Sequence, residues 1–272
     1  MIPALFDYKR AESLEEAIAL LVEHGDEAKL LAGGHSLLPL MKLRLAAPSV
    51  LIDVGRLSEL SYVRDAGEHL AIGALTRHRD LQVSQLVRDT VPVVAHVAAQ
   101  VGDPQVRHRG TIGGSLAHGD PASDLPAAIL ALDATLVSRG PGGERTIEAA
   151  QFFRGFLQTA LRPDEVLTEI RVPKACHRWS FQKFNRRAQD WAIVGVVAVS
   201  NGHTAVSLIN MGMVPLRATA VEDSIARGES SADAAALASE GLHPPGDLNA
   251  SPDYRRHLAA VLVRRALEEV GS

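Results

Sequence analysis

Two short glycine-rich stretches decide the fold of this chain: Ala32-Gly33-Gly34-His35-Ser36 and, further along, Thr111-Ile112-Gly113-Gly114-Ser115. Each follows an apolar segment and precedes a predicted helix. Because glycine has no Cβ, it adopts positive φ readily and lets a ligand approach the backbone. Successive N–H groups at such a turn form a concavity that suits phosphate oxygens. One such turn is common without a ligand, but two in one chain predict a ligand with two phosphates, such as a dinucleotide.

The first stretch lies in a segment with the pattern of a small β-α-β unit. A capping box at Ser13 and Glu16 predicts a helix over residues 14–24. A strand over residues 29–32 leads into the glycine stretch, and another strand over 50–54 follows it. The turn therefore lies at the carboxyl end of a strand, where open α/β sheets bind ligands.

The second stretch lies in a longer segment that begins near residue 57. Strands over residues 62–63 and 70–72 form a predicted hairpin, and Thr76 is expected to cap the next helix. Residues 102–110 are expected to form a polar loop before the glycines, and an apolar helix is predicted over 125–132.

The last segment begins near residue 173 and predicts three strands, over residues 181–184, 192–200 and 204–210, followed by helices. Asn201-Gly202 is a strong two-residue turn signal between the second and third strands. The pattern as a whole predicts an α+β chain with α/β subdomains. Its predicted units are residues 1–56, 57–172 and 173–272.

Charge and composition exclude several classes of function. The net charge of -4 and the absence of a basic run argue against nucleic-acid binding. The first residues show no secretion signal, and no apolar stretch reaches the roughly 20 residues of a membrane span. We therefore expect a cytoplasmic protein.

Cysteine and histidine usage bounds the redox chemistry. Cys176 is the single cysteine, which excludes an internal disulfide and a cysteine-ligated zinc or iron–sulfur cluster. The histidines show no metal-ligand spacing, so no metal site is expected. If the protein carries out redox chemistry, its redox centre must be a bound organic cofactor.

Three polar or aromatic positions carry open alternatives. Asp124 could accept hydrogen bonds from ribose or adenine, or could cap the helix that follows it. Lys183 could place a cation beside a cofactor, or could lie on a solvated strand edge or a subunit interface. Trp191 is expected in the core or at an interface. No Gly-x-Gly-x-x-Gly fingerprint or Walker sequence is present, so the dinucleotide site must belong to another architecture.

Four stretches together resemble one known family. Ala32-Gly33-Gly34-His35-Ser36-Leu37-Leu38-Pro39 is similar to the first FAD loop of molybdenum hydroxylase flavoprotein subunits. Thr111 to Ser115, with the downstream Asp120-Pro121-Ala122-Ser123-Asp124, resembles the second loop. Residues 164–170 and 183–191 resemble further family stretches in order and spacing, and the match covers nearly the whole chain. The most similar type is the medium subunit of carbon monoxide dehydrogenase-like enzymes, which resembles the FAD domain of xanthine dehydrogenase.

The resemblance implies an FAD-binding fold of the p-cresol methylhydroxylase/vanillyl-alcohol oxidase type. Two subdomains would hold FAD between them, and a C-terminal domain with a three-stranded sheet and helices would cover one side. The two loops would cradle the pyrophosphate, Asp124 would reach the ribose or adenine end, and Leu167 would lie near the flavin ring. The cofactor-binding residues implied in this way are Leu31, Ala32, Gly33, Gly34, His35, Ser36, Leu37, Val101, Gly102, Thr111, Gly113, Gly114, Ser115, Asp124, Leu167 and Lys183.

The resemblance also implies electron transfer, with no catalytic acid or base in this chain. In the family, a large molybdopterin subunit hydroxylates the substrate, and a small subunit with two [2Fe-2S] clusters passes electrons to FAD. The expected assembly is a dimer of heterotrimers, a heterohexamer. Two alternatives stay open: a self-contained flavin oxidase of the same fold, and a nucleotide-binding assembly subunit without a redox role.

Overall fold

The computed structural model describes residues 2–174 and 178–271, so Cys176 lies outside the described residues. The first part of the chain forms a three-stranded parallel sheet with strand order β1-β3-β2. Its elements are β1 (Asp7–Arg10), α1 (Leu14–His24), β2 (Ala28–Leu31), α2 (Leu37–Lys42) and β3 (Val50–Asp53).

Local signals set the beginning of α1. The Glu16 N–H donates to Ser13 Oγ at 3.1 Å, and the Glu16 carboxylate accepts from the Glu12 N–H at 2.7 Å. The Ser13 half of the predicted capping box is therefore formed, whereas the Glu16 carboxylate accepts from the N–H before the N-cap and not from that of Ser13. Strand β1 was not predicted, because its exposed and polar residues carry no apolar alternation. It pairs with β3 at the edge of the sheet.

The second part of the chain forms a five-stranded antiparallel sheet with strand order β4-β5-β10-β6-β7 and a cover of helices. Its strands, with a separate small hairpin of β8 and β9, are β4 (Val63–Asp65), β5 (His69–Gly73), β6 (Thr135–Gly140), β7 (Gly143–Glu148), β8 (Phe153–Gly155), β9 (Gln158–Thr159) and β10 (Val166–Pro173). Its helices are α3 (His78–Val83), α4 (Gln85–Thr90), α5 (Pro92–Ala99), α6 (Pro104–Arg109), α7 (Ile112–His118), α8 (Asp124–Ala131) and α9 (Ala149–Phe152).

Two local predictions in this part are wrong. Thr76 does not cap α3, because its hydroxyl donates to the Tyr62 carbonyl at 2.9 Å and accepts from the Tyr62 N–H at 3.1 Å. The expected polar loop contains the helix α6, which Asp103 caps by accepting from the Val106 N–H at 2.8 Å. Pro104 at the first helical position supports it, and that Asp-Pro signal was present in the sequence.

The last part of the chain forms an antiparallel sheet with strand order β11-β12-β13-β14. Its elements are β11 (Arg178–Phe184), β12 (Val194–Ser200), β13 (Thr204–Ile209), β14 (Leu216–Arg217), α10 (Thr219–Ala226), α11 (Ser231–Ala236) and α12 (Pro252–Gly271). The three predicted strands are extended by β14, which is too short to show a pattern in the sequence. Asn201-Gly202 lies between β12 and β13 as predicted, with Gly202 at φ +102°, but the connection is a three-residue loop that includes His203, because Ser200 pairs with Thr204.

Strand β12 is apolar on both faces because it lies between two cores. Val197 and Val199 pack in the core that includes α5 and α8, whereas Val196 and Ala198 pack against the face covered by α12. A strand buried on both sides needs a nearly continuous apolar run, and this one has it. Over the described ranges, no helix combines the length and apolar character needed to cross a bilayer.

Candidate cofactor site

A cavity of about 760 Å³ lies where the carboxyl end of β2 faces the second glycine stretch, and residues from β10 and β11 also line it. Every residue that the sequence analysis put at the cofactor lines this cavity. They are Leu31, Ala32, Gly33, Gly34, His35, Ser36, Leu37, Val101, Gly102, Thr111, Gly113, Gly114, Ser115, Asp124, Leu167 and Lys183. Residues far apart in the chain are thus brought to one concave surface of the size that small-molecule sites have.

The first loop, residues 32–36, connects β2 to α2 and presents free backbone donors. Gly34 has φ +78°, a conformation that favours glycine. Within the described residues, the N–H groups of Gly33, Gly34, His35 and Ser36 donate to no protein acceptor. Four successive free N–H groups beside a cavity form a nest for an anion.

Gly33 is required by a contact with residues 109–110, which directly precede the second loop. A Cβ at this position would lie 2.2 Å from the Arg109 carbonyl oxygen and 2.8 Å from Gly110 Cα. Close approach of the protein backbone, and not only of a ligand, therefore explains the missing side chain.

Of the five backbone N–H groups in the second loop, residues 111–115, the four from Ile112 to Ser115 donate to protein acceptors, and within the described residues only the Thr111 N–H does not. The Ile112 and Gly113 N–H groups donate to the carbonyls of Thr76 and Ala74, at 3.0 and 2.8 Å. The Gly114 N–H donates to Thr111 Oγ1 at 3.1 Å, and the Ser115 N–H donates to the Thr111 carbonyl at 3.1 Å. Internal bonds to residues 112–115 do not support the prediction that successive N–H groups of this stretch face a phosphate, which stays a prediction. Apart from the Thr111 N–H, the donors that this loop can offer a ligand are on side chains, including the Ser115 hydroxyl.

Asp124 and Lys183 form a buried ion pair in the cavity wall. Lys183 Nζ lies 2.7 Å from Asp124 Oδ2 and donates to the Gln100 carbonyl at 3.1 Å. Both side chains are buried, with 6% of Asp124 and 8% of Lys183 exposed. Burial raises the pKa of Asp124 to about 6, although the Lys183 ammonium opposes this shift.

This pair settles several alternatives. Ser123 occupies the N-cap position of α8 and Asp124 is its first residue, so the carboxylate does not cap the helix. Lys183 is not on a solvated edge. Because the two side chains touch, Asp124 and Lys183 cannot serve opposite ends of an extended dinucleotide. Both lie in the same part of the cavity wall.

One carboxylate oxygen of the pair is able to accept a hydrogen bond from a nucleotide. Asp124 Oδ1 is buried and, within the part of the chain that the structure describes, has no hydrogen-bond partner. A buried, unpaired carboxylate oxygen is unfavourable unless a donor reaches it. The N–H and O–H groups of a dinucleotide supply such donors. The free N–H groups of the first loop suit the phosphate oxygens of FAD, and Asp124 Oδ1 suits one of the N–H or O–H donors of FAD.

Several lining residues were missed by the sequence analysis. His78 is buried, with 2% exposed, and its Nε2 lies 3.2 Å from Ser115 Oγ. Trp191 lines the cavity with 58% of its surface exposed, so the core alternative expected for it is wrong, while the interface alternative stays a prediction. Gln158 and Thr159 reach the cavity from the β8–β9 hairpin. No local pattern marks these positions, because only the packing of distant segments brings them to the site.

Metal ligation is not supported by the side chains described. Across residues 2–174 and 178–271, no group of three or more His, Cys, Asp or Glu side chains is arranged to hold a metal ion. The chemistry that the cavity supports is the binding of an organic, anionic ligand.

Known proteins share this sequence and fold. The family model described as FAD binding domain in molybdopterin dehydrogenase matches residues 4–175, and the CO dehydrogenase flavoprotein C-terminal domain matches residues 179–270. The carbon monoxide dehydrogenase medium chain of Hydrogenophaga pseudoflava is 42% identical, over 98% of this chain and 97% of that one. The glyceraldehyde dehydrogenase medium chain of Sulfolobus acidocaldarius is 37% identical, over 99% of this chain and 100% of that one.

A solved structure agrees with these matches. Carbon monoxide dehydrogenase from Hydrogenophaga pseudoflava, in a form that lacks the Mo-pyranopterin moiety of the molybdenum cofactor, contains a chain that superposes with a TM-score of 0.95. The two chains are 42% identical, with 100% of this chain and 99% of that one covered. Fold and cavity therefore define an FAD-binding flavoprotein. The chain belongs to the family of FAD-binding medium chains of molybdopterin dehydrogenases, which confirms the resemblance, the fold and the cofactor expected from the sequence.

Proposed function

We propose that this chain is the electron-relaying FAD subunit of a heterotrimeric molybdenum hydroxylase. The observation that carries the proposal is the single cavity in which the free N–H groups of the first loop and the Asp124–Lys183 pair lie together. Membership of the medium-chain family supplies the context. When bound, FAD supplies a centre that takes up and releases electrons one or two at a time.

The residues of this chain would bind and orient the cofactor. The N–H groups of the first loop would bind the pyrophosphate, and the second loop would close the opposite side with hydroxyl groups. Asp124 Oδ1 would accept from a donor on the nucleotide, held in place by Lys183. In this proposal residues 1–56 and 57–172 are the two FAD-binding subdomains, and residues 173–272 form the C-terminal domain.

Partner chains would carry the other redox centres. The sequence has one cysteine, and a single [2Fe-2S] cluster needs four ligands, so the clusters belong on a small partner subunit. The molybdopterin and the substrate would belong to a large partner subunit. The medium chains similar to this one are parts of enzymes named for carbon monoxide and for glyceraldehyde. We propose a cytoplasmic dimer of such heterotrimers, to be tested by cell fractionation and by the mass of the purified complex.

The test is a comparison of the chain alone with the complex purified from its native host. The complex should contain one FAD per chain, together with iron and molybdenum. An oxidisable substrate, with carbon monoxide and glyceraldehyde as the first probes, should bleach both the iron–sulfur and the flavin absorbance of the complex. After FAD is removed, the same substrate should still bleach the iron–sulfur absorbance, but electrons should no longer reach an external dye.

The isolated chain is the matched control. It should bind FAD and show no reduction by either probe, whereas dithionite reduces it. Oxidation of a substrate by the isolated chain would instead favour the self-contained oxidase. A chain that binds no FAD under any condition would favour the assembly subunit.

A further inference from the structure

Apart from the Thr111 N–H, the donors that the second glycine loop can offer a cofactor are on side chains. Its N–H groups from Ile112 to Ser115 already donate to protein oxygens. Two hydroxyls remain, those of Thr111 and Ser115. Thr111 is buried and its oxygen caps α7, whereas Ser115 is half-buried and lines the cavity. Ser115 is therefore the group of this loop best placed to donate to a bound anion.

His78 fixes the Ser115 hydroxyl from behind. Its Nε2 lies 3.2 Å from Ser115 Oγ, and its own backbone N–H donates to the Gly110 carbonyl at 3.0 Å. The ring lies directly under Gly110, where a Cβ would come within 2.8 Å of Cδ2 and 2.9 Å of Nε2. Only 2% of the residue is exposed, so water does not compete for the contact with Ser115.

The position of the single imidazole proton decides which atom donates in the bond between His78 Nε2 and Ser115 Oγ. Burial, with the nearby charges of His35 and Arg107, lowers the pKa of His78 to about 4, so the ring is neutral near pH 7 and carries one N–H. Nδ1 is buried and, among the described residues, has no hydrogen-bond partner. A buried N–H group is rarely left unpaired, whereas a buried acceptor atom is left unpaired somewhat more often. The N–H therefore belongs on Nε2, where it donates to Ser115 Oγ.

A serine oxygen that accepts this bond must direct its own proton elsewhere. We propose that His78 is a positioning residue which, by donating to Ser115 Oγ, aims the Ser115 hydroxyl proton into the cavity as a donor to the cofactor pyrophosphate. Aligned donors of this kind polarise and strengthen one another. The inference rests on the proposed binding of FAD in this cavity.

The experiment measures the affinity of the full-length, FAD-depleted chain for FAD by flavin fluorescence in four variants. H78L removes the ring donor and keeps an apolar side chain of similar length, whereas H78Q restores an N–H donor in its place. S115A removes the hydroxyl, and H78L/S115A removes both. We expect H78L and S115A each to weaken FAD binding about 10- to 150-fold, the effect of one hydrogen bond to a charged group.

Non-additivity and the phosphorus spectrum distinguish positioning from packing. H78Q should bind within about threefold of the wild type, and H78L/S115A should bind no more weakly than S115A alone. In ³¹P NMR, H78L and S115A should shift the same pyrophosphate resonance of bound FAD. Additive losses, or an unmoved phosphorus resonance in both variants, would overturn the inference. Where H78L cannot be purified, H78N replaces it, because its shorter amide cannot reach Ser115.

The wild-type chain separates the two proposals. If wild-type protein retains no FAD, the proposed function fails. If it binds FAD at one per chain and the H78L and S115A effects add, only the role of His78 is wrong.

Discussion

The two glycine loops look alike in sequence and are used in opposite ways. In the first loop, the N–H groups from Gly33 to Ser36 are free of protein acceptors within the described residues. In the second, the N–H groups from Ile112 to Ser115 are all taken by protein oxygens. The backbone N–H groups of the first loop are thus free to bind a ligand, whereas those of residues 112–115 stabilise the conformation of the second loop.

This difference changes what a paired glycine means. Gly33 lacks a side chain because the backbone of residues 109–110 lies against it, and a Cβ at Gly113 would lie 2.6 Å from the Ala74 carbonyl oxygen. The glycines report close approach of backbones, and a ligand is only one cause of such approach. Whether a loop can bind an anion depends on its free donors, which its sequence does not show.

The largest change in the free energy of unfolding is expected away from both loops, at Asp124 and Lys183, and the changes in the loop variants can be compared with it. D124N leaves the Lys183 ammonium buried without a counter-charge and should lower the free energy of unfolding by about 3–5 kcal/mol. D124N/K183M removes both charges and should recover much of this loss. Urea denaturation of the FAD-free chains measures both values. Equal stability of the two variants would show that the ion pair is not what holds this end of the cavity.

The next effect compares one glycine from each loop. G33A places a Cβ 2.2 Å from the Arg109 carbonyl oxygen, so it should separate the loops, cost about 1–3 kcal/mol and abolish FAD retention. G114A is the matched control, because a Cβ there meets only the Thr111 side-chain oxygen, at 2.8 Å. Thermal denaturation and FAD stoichiometry should show a clear loss for G33A and a small one for G114A. The opposite ranking would mean that the loops do not depend on their mutual contact.

A pH series separates His78, behind the second loop, from Asp124. The native pKa of His78 is about 4, below the ordinary 6.5, so only the unfolded chain binds that proton and stability rises with pH between these values. The native pKa of Asp124 is about 6, above the ordinary 3.8, so the native chain holds the extra proton and stability falls with pH over nearly the same window. The two slopes oppose each other in the wild type.

A variant that lacks one of the two groups should therefore show the pH dependence of stability that the other group causes. Between about pH 4.5 and about pH 6, the stability of H78Q should fall with pH relative to wild type, and that of D124N should rise, each by up to about 1.4 kcal/mol per pH unit. Urea denaturation of variant and wild type at the two pH values measures this difference in stability. Contributions of the other carboxylates are the same in both proteins and cancel. A slope for H78Q equal to that of wild type would show that His78 titrates normally.

The smallest change in stability is expected for the N-cap residues of the helices that follow the two loops, Ser36 before α2 and Thr111 before α7. Thr111 Oγ1 accepts from the Gly114 N–H, whereas Ser36 makes no side-chain capping bond. T111A should therefore cost about 1 kcal/mol of stability, and S36A should change stability by less than about 0.5 kcal/mol. Differential scanning calorimetry of the FAD-free chains resolves the pair. A larger loss for S36A would mean that the first loop depends on its side chains.

Local signals allowed much of the fold to be predicted. The Ser13 cap of α1 and the chain reversal at Asn201-Gly202 depend on residues within a few positions of one another, and both are present, although Glu16 bonds the Glu12 N–H and the reversal takes three residues. The family and its cofactor could be identified from the order of the motifs, and the comparisons confirm them. Strand β1 and helix α6 were missed, the first because an exposed edge strand has no apolar period and the second because its Asp-Pro start signal was overlooked.

By itself, the sequence determined the two glycine turns, the helices and strands around them and the FAD-binding class of the chain, because backbone preferences are set within a few residues. Only the tertiary structure decided how those turns are used. It pairs Asp124 with Lys183, His78 with Ser115 and the N–H groups of the second loop with the carbonyls of Thr76 and Ala74. Such contacts join residues far apart in the chain, and their partners exist only once the sheets have packed.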